Sequence, residues 1–148
     1  MNCKVVHFDS KKVLGMEYFG KNENAEIAKM WEVFMKRASE IKTTSPEISY
    51  GLCYDYEDSG AFGYLAGLEA ADLDEIPNGM ILKEIPEGDY AVFTFNDDIT
   101  KMPAFWNAIY SEYMPENNLE ADYGLSFELY DERFCDHGEC DIYIPIKK

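Results

Sequence analysis

The chain has little positive charge and little histidine. It contains 13 Lys and Arg residues and 2 His residues against 29 Asp and Glu residues, which gives a formal net charge of −16 and a pI near 4.3. A surface of this sign repels phosphate backbones, so we expect no direct binding to nucleic acid and no binding to anionic membranes. The negative field instead attracts cations, although a solvated acidic surface has the same composition.

Long apolar runs are also lacking. No segment approaches the roughly 20 residues of a membrane-spanning helix. The N-terminal segment Met1–His7 has no apolar core of a signal peptide. We therefore expect a cytoplasmic protein whose 4 cysteines are free thiols. The absence of a phosphate loop and of the GxGxxG, HExxH and GxSxG motifs excludes the enzyme classes that those motifs mark.

Aromatic side chains are what the sequence has in excess. Eleven Tyr, nine Phe and two Trp make up 15% of the 148 residues, and 47% of the chain is hydrophobic. That length and composition predict one globular domain, residues 1–148, with a substantial core. Aromatic rings build cores, but they also line pockets for flat or cationic ligands.

The chain contains an internal repeat. Trp31 and Trp106 are 75 positions apart, and each lies in an amphipathic stretch. The aromatic runs Tyr50–Asp55 and Ser126–Asp131 follow them, with their Tyr-Asp pairs 76 positions apart. A period near half the chain indicates two copies of one supersecondary unit, related by a pseudo-two-fold axis.

Each copy is predicted to be a β-α-β-β unit. Repeat one covers about 1–71 and repeat two about 79–148, with the polar segment Asp72–Gly79 as their linker. Alternating apolar and β-branched or aromatic residues predict the strands. These are Val5–Phe8 with Val13–Phe19, Tyr50–Tyr56, Phe62–Glu69, Ile81–Ile85, Tyr90–Phe95, Phe127–Tyr130 and Ile142–Ile146.

Apolar residues at helical spacing predict one helix in each repeat. Asn24 is the expected cap of the first helix, which fades near Ile41. Thr100 is the expected cap of the second, with Pro103 in its first turn and Pro115 ending it. The resulting fold class is α+β: one curved, mostly antiparallel sheet with both helices on one face and a central groove between the halves.

Glu128 is the most informative single residue. At a shift of 76, its counterpart in the first repeat is the apolar Leu52. Strand alternation puts Glu128 and Tyr130 on one face, which is either solvent or the groove, and the apolar counterpart favours the groove. A carboxylate among aromatic rings is costly unless it is paired, so it is suited to bind a cation or to act as a general acid or base. Most aromatic residues must be ordinary core, and the candidate walls of a pocket are Trp31, Tyr54, Tyr64, Trp106, Tyr110 and Tyr130.

Two other groups of reactive side chains carry less weight. Cys135–Cys140 holds thiol, imidazole and carboxylate groups, but its cysteines are spaced more widely than in a zinc knuckle, and no second pair follows. Cys53 and His7 could form a nucleophile pair, but nothing in the sequence places them together. We predict neither a metal ion nor a cofactor.

Seven motifs in order resemble the GyrI-like small-molecule-binding domain, also called the AraC-type effector-binding domain. Each motif alone is weak, but the ordered set is specific and covers nearly the whole chain. The motifs are Ile27-x3-Trp31-x2-Phe34, Tyr50–Asp55, Tyr64–Glu69, Ile85–Phe93, Trp106-x2-Ile109–Tyr110-x2-Tyr113–Met114–Pro115, Phe127–Tyr130 and Ile142–Ile146.

This resemblance implies a duplicated β-α-β-β fold with a groove between its halves. In family members attached to transcription regulators, the groove binds hydrophobic cations through an acid among aromatic rings, and Glu128 matches that acid. Other members bind gyrase, and some stand-alone members resemble hydrolases that open strained cyclopropane rings of DNA-alkylating compounds. Because the chain begins directly with the domain and leaves no room for a helix-turn-helix, we expect a stand-alone member.

Three functions therefore remain open from the sequence. The first is binding of hydrophobic, preferably cationic, small molecules in the groove. The second is hydrolysis of strained-ring toxins, with Glu128 as the catalytic residue. The third is a protein-interaction module whose partner is a regulator or gyrase.

Overall fold

The computed structural model describes residues 3–43, 45–71, 76–122 and 124–147. These residues form one eight-stranded sheet in which every paired strand is antiparallel. The predicted α+β class and curved antiparallel sheet are confirmed. The strands are β1 (Lys4–Phe8), β2 (Lys11–Gly20), β3 (Ser49–Tyr54), β4 (Phe62–Glu69), β5 (Ile81–Ile85), β6 (Gly88–Asn96), β7 (Ser126–Tyr130) and β8 (Glu139–Pro145).

Four α-helices accompany the sheet in the described part of the chain, and none of them is long and apolar enough to cross a membrane. The helices are α1 (Glu26–Arg37), α2 (Met102–Ala108), α3 (Met114–Glu116) and α4 (Glu132–His137). The helix α2 continues through a π-helical turn, Ile109–Tyr113, directly into α3. The helix α4 was not predicted from the sequence, which indicated only a turn at Gly138.

The predicted start of α1 was wrong in detail. Ala25 occupies the N-cap position without a side-chain cap, in a left-handed conformation with φ of 57°. The side chain that satisfies a free N–H group of the first turn belongs to Asn22, whose Oδ1 accepts from the Ile27 amide at 3.0 Å. Asn24, the residue expected there, does not cap the helix.

The predicted ends of the second helix also need correction. Thr100 does not cap α2: it lies in a preceding 3₁₀ turn, Ile99–Lys101, where its amide donates to Asp98 Oδ1 at 3.0 Å. Pro115 does not end the helix at its own position either, because α3 extends one residue further, to Glu116.

The order of the strands shows a reciprocal exchange between the two repeats. Across the sheet it is β1-β6-β8-β7-β3-β4-β2-β5, so β3 and β7 lie side by side at the centre. The strand β1 pairs with β6 of the second repeat, and β5 pairs with β2 of the first. Each repeat therefore contributes its first strand to the other half, as a pseudo-two-fold relation requires.

The strands fix the structural period of the repeat at 77 residues. That shift superposes Lys4–Phe8 on Ile81–Ile85 and also Ser49 on Ser126, the first residues of the central strands. A shift of 76, which the sequence suggested, is one residue short of this period. Because side chains along a strand alternate between the two faces of the sheet, that shift would pair residues of opposite faces.

The equivalence of Leu52 with Glu128 is therefore wrong. Leu52 lies opposite Phe127, and both belong to the core cluster on the sheet face away from α1 and α2. Glu128 lies opposite Gly51 on the helix-covered face, and the shift of 77 makes these two residues each other's counterparts. The pseudo-two-fold axis thus passes between Gly51 and Glu128.

Each half of the helix-covered face has its own core cluster. The helix α1 packs the fully buried Phe34 against β2 and β4. In the second repeat, the segment from α2 to α3 packs Ile109 and Met114 against Phe93 of β6 and Ile142 of β8. The two helices therefore flank the central strand pair, where the axis runs.

A buried glutamate between two tryptophan-bearing helices

Alternation along β7 turns Ser126, Glu128 and Tyr130 toward the helices. Glu128 is only 6% exposed, and it is the sole charged residue among the buried positions of the described chain. It lies at the centre of the sheet, beside the pseudo-two-fold axis. Its position next to the axis brings side chains from both halves within reach of one carboxylate.

Three neutral donors surround this carboxylate. Glu128 Oε1 accepts from the hydroxyl groups of Tyr64 at 2.7 Å and Tyr130 at 2.9 Å. Its Oε2 accepts from the indole Nε1 of Trp106 at 3.2 Å. No Lys, Arg or His within the described ranges forms an ion pair with Glu128. The carboxylate is thus hydrogen-bonded but lacks a counter-charge.

The two tryptophans of the repeat cover the site from the two helices. Trp31 of α1 donates its indole Nε1 to the Tyr64 hydroxyl at 3.0 Å, and its ring lies 5.7 Å from that of Tyr130, edge to face. Trp106 of α2 stacks on Tyr110 with ring centroids 6.5 Å apart. The hydrogen bonds therefore run from both helices, through Tyr64 on one side and directly on the other, to Glu128.

Gly51 makes room for this arrangement. A Cβ built at Gly51 would overlap the Tyr64 hydroxyl and would lie 2.6 Å from Glu128 Oε1. Any side chain at the counterpart position would therefore displace the phenol or the carboxylate. The two repeats therefore differ at this position: the second repeat has an acid, Glu128, and the first has Gly51, which leaves space for that acid.

Burial controls the protonation of the groups in the site. Desolvation raises the pKa of Glu128 above its usual value, while the hydrogen bonds from Tyr64, Tyr130 and Trp106 favour the carboxylate and oppose the rise. Burial, reinforced by the charge of Glu128, raises the pKa of both tyrosines well above the usual range. Both phenols therefore stay protonated and act as donors at neutral pH.

Comparison with known proteins identifies the family. A family model described as integron-associated effector binding protein matches residues 4–146. The chain belongs to this family. It is 37% identical over 151 residues to the transcriptional regulator BrlR of Pseudomonas aeruginosa, covering 99% of this chain and 56% of that protein. It therefore spans about half the length of this relative.

Two solved structures share the fold. One is SAV2435 bound to tetraphenylphosphonium, with a TM-score of 0.77 at 17% identity, covering 99% of this chain and 94% of that one. Another is an integron cassette protein of Vibrio cholerae, with a TM-score of 0.74 at 17% identity, covering 98% and 95% of the two chains. The resemblance to GyrI-like domains that the sequence motifs indicated is confirmed.

Most of the predicted site residues of this effector-binding chain come together. Glu128, Trp31, Tyr64, Trp106 and Tyr130 are linked by hydrogen bonds or ring contacts, and Tyr110 joins them by stacking on Trp106.

Tyr54 does not join the site. It belongs to the cluster on the opposite sheet face, where its hydroxyl donates to Glu17 and the Lys83 ammonium lies 3.7 Å from its ring centre. The sequence could not show that Tyr54 and Tyr64 lie on opposite faces of the sheet. Alternation within a strand shows which of its residues share a face, but not which face of the sheet that is.

The two other groups of reactive side chains are described only in part. His7 lies on the edge strand β1 among exposed carboxylates, whereas Cys53 is buried under the helices, so they do not form a pair. Burial raises the pKa of the Cys53 thiol well above its usual value, which keeps it unreactive. The side chains of 135–137, in the segment considered for a metal, lie outside the described residues; the described cysteines Cys3, Cys53 and Cys140 are free.

The sequence reasoning missed Gly51 and Ser126. The role of Gly51 as the counterpart of Glu128 was missed because the period of the repeat was taken as 76 instead of 77. Ser126 begins β7 and shares the face of Glu128, so strand alternation was a signal that could have found it.

Proposed function

We propose that this chain binds hydrophobic cations, with Glu128 as the counter-charge. The observation that carries the proposal is a buried carboxylate whose neighbours are neutral donors and aromatic rings. A buried charge without a partner is costly, and a bound cation would supply that partner.

The surrounding rings suit such a ligand. The rings of Trp31 and Trp106 can contact a cation through their faces, and their breadth offers apolar surface to its substituents. The net charge of −16 attracts cations toward the protein. Tetraphenylphosphonium, the molecule bound to the structurally similar SAV2435, is a hydrophobic cation. These points support the same ligand class for the chain.

Replacing Glu128 by Gln tests the proposal. Glu128→Gln keeps the shape and the acceptor oxygen but removes the charge, and two opposite unit charges roughly 6 Å apart at an effective dielectric constant of about 20 attract each other by about 3 kcal/mol. We expect affinity for tetraphenylphosphonium, measured by calorimetric titration, to fall by roughly ten- to a hundredfold.

Glu17→Gln is the matched control. Glu17 also accepts a hydrogen bond from a tyrosine, Tyr54, but on the opposite sheet face. This variant should bind like the wild type. Equal affinity of wild type and Glu128→Gln for tetraphenylphosphonium would contradict the assignment of Glu128 as counter-charge.

Hydrolysis of a strained-ring electrophile is the second candidate. The raised pKa of Glu128 favours it, because a carboxyl group that keeps its proton nearer to neutral pH can serve as a general acid. Incubation with a cyclopropane-bearing alkylator, followed by mass detection of the water adduct, separates the two functions. Formation of adduct above the buffer rate that Glu128→Gln abolishes would favour the enzyme, and ligand binding without turnover would favour the binding protein.

A further inference from the structure

Within the part of the chain that the structure describes, Ser126 is the one residue of the helix-covered face with an unpaired polar atom in a buried side chain. It is 1% exposed, and its Oγ is the only buried side-chain N or O atom in the described chain without a hydrogen-bond partner. Leaving such a group unpaired is energetically costly. Because native proteins pair nearly all buried polar groups, an unpaired hydroxyl at a ligand site indicates a partner from outside the chain.

Ser126 lies next to the carboxylate described above. It precedes Glu128 by two positions on β7, so both side chains leave the same sheet face, roughly 6.5 Å apart along the strand. Across the central strand pair, Ser126 lies opposite Cys53, just as Glu128 lies opposite Gly51. The site thus has a charged end at Glu128 and a neutral polar end at Ser126.

Tyr56 marks the outer side of this neutral end. The residue is 55% exposed and stacks on Phe62 with ring centroids 5.6 Å apart. Burial of its hydroxyl raises the pKa of Tyr56, and the Cys53 thiol and the Ser126 hydroxyl are among the groups that act on it. The Ser126 hydroxyl lies close enough to Tyr56 to lower that pKa, yet its Oγ forms no hydrogen bond of standard geometry with any described residue. The Ser126 hydroxyl, which can both donate and accept, stays available.

We propose that Ser126 forms a second, neutral subsite that hydrogen-bonds an uncharged polar group of the ligand. The ligand class is then a hydrophobic cation that carries a hydroxyl or carbonyl group about one aromatic ring away from its charge. This inference rests on the proposed function, because the charged end of the ligand has to occupy the Glu128 site.

A pair of ligands that differ in one hydroxyl group tests the subsite. Tetraphenylphosphonium carries no hydrogen-bonding group, whereas (4-hydroxyphenyl)triphenylphosphonium has the same charge and nearly the same shape. Calorimetric titration of each into wild type and Ser126→Ala gives four affinities. We expect the wild type to prefer the hydroxylated cation by roughly three- to tenfold, the range of one hydrogen bond. In Ser126→Ala the preference should disappear, with tetraphenylphosphonium bound as before.

Ser49→Ala is the matched control. Ser49 is the repeat counterpart of Ser126 at the shift of 77, and it opens the other central strand opposite Tyr130. This variant should keep the wild-type preference. The midpoint of thermal unfolding of Ser126→Ala should equal or exceed that of the wild type, because the lost hydroxyl has no partner in the chain to lose.

The outcomes separate this inference from the proposed function. If neither phosphonium binds the wild type, the proposed function fails. If both bind equally, or if Ser126→Ala keeps the preference for the hydroxylated cation, the Ser126 subsite is overturned while cation binding stands. A preference lost in Ser49→Ala instead of Ser126→Ala would also overturn it.

Discussion

The chemistry of the site depends on the difference between two residues that face each other across the pseudo-two-fold axis. Glu128 contributes the buried acid, and Gly51 contributes the space that the acid and the Tyr64 hydroxyl occupy. A symmetric pair of glutamates would place two like charges at one buried point, and a symmetric pair of glycines would leave the tyrosines without an acceptor. The asymmetry is therefore required for a single carboxylate with donors from both halves.

Substitution of Gly51 tests this role at the residue scale. In Gly51→Ala the new methyl group overlaps the Tyr64 hydroxyl, so the phenol or the carboxylate must move. We expect destabilisation by about 1–3 kcal/mol in urea unfolding, typical of overpacking, together with weaker binding of tetraphenylphosphonium.

Gly88→Ala provides the comparison for that experiment. Gly88 also lies in a strand, β6, but a Cβ built there meets no atom within 4 Å. This variant should unfold at the same urea concentration as the wild type. A Gly51→Ala protein as stable as Gly88→Ala would show that the central strand pair tolerates a side chain and that the space is not needed.

At the scale of elements, the exchange of β1 and β5 joins the two repeats. The edge strand β1 is held on β6 by its backbone ladder and by His7, whose Nδ1 lies 3.1 Å from Asp89 Oδ1 and whose Nε2 lies 3.3 Å from Glu87 Oε2. These carboxylates favour the protonated imidazole, with Asp89 the largest influence, so the pKa of His7 is raised above its ordinary value of 6.5.

We expect nuclear magnetic resonance titration to show His7 losing its proton at a pH above 6.5. The stabilisation that it gives to β1 is complete below that ordinary value and is lost as pH rises through the raised pKa. Asp89→Asn should lower the midpoint, because it removes the largest cause of the shift. Asp9→Asn should change the midpoint less, since the Asp9 side chain is 91% exposed and its Oδ1 lies 3.7 Å from His7 Nε2. An unchanged midpoint in Asp89→Asn would contradict the role of this pair.

The elements also show what could be predicted from the sequence. Apolar alternation and helical spacing are local, so strands such as Phe62–Glu69 and Ile81–Ile85 were predicted with the bounds that the structure has. The helix α4 was missed because it has only six residues, Glu132–His137, too few to show a helical period. The exchange of β1 and β5 depends on pairing between distant segments, which no local pattern encodes.

The site was predictable to the extent that its residues carry distinct chemistry. An acid in an aromatic strand and the two tryptophans identified Glu128, Trp31 and Trp106 from the sequence. Gly51 could not be recognised, because a glycine acquires its role only from the register that places it opposite Glu128. The wrong assignment of Tyr54 has the same cause, since the sheet face of a strand is set by its partners.

For the whole molecule, Glu128 couples folding and ligand binding to pH in opposite directions. Burial raises its pKa above the ordinary 4.5, so the folded chain keeps a proton that the unfolded chain has released. The contribution of Glu128 to stability is therefore complete below about 4.5 and is lost as pH rises through the folded pKa. A bound cation favours the carboxylate, so affinity for tetraphenylphosphonium should instead increase as pH rises through the same range.

Urea unfolding and calorimetric titration across this pH range measure the two trends on one protein. In Glu128→Gln both trends should lose the component centred on the folded pKa of Glu128, because the amide does not titrate. The remaining acidic groups act on both proteins, so the difference between wild type and variant isolates Glu128. Parallel pH curves for the two proteins, in stability and in affinity alike, would show that the buried carboxyl group is not the residue that links folding to cation binding.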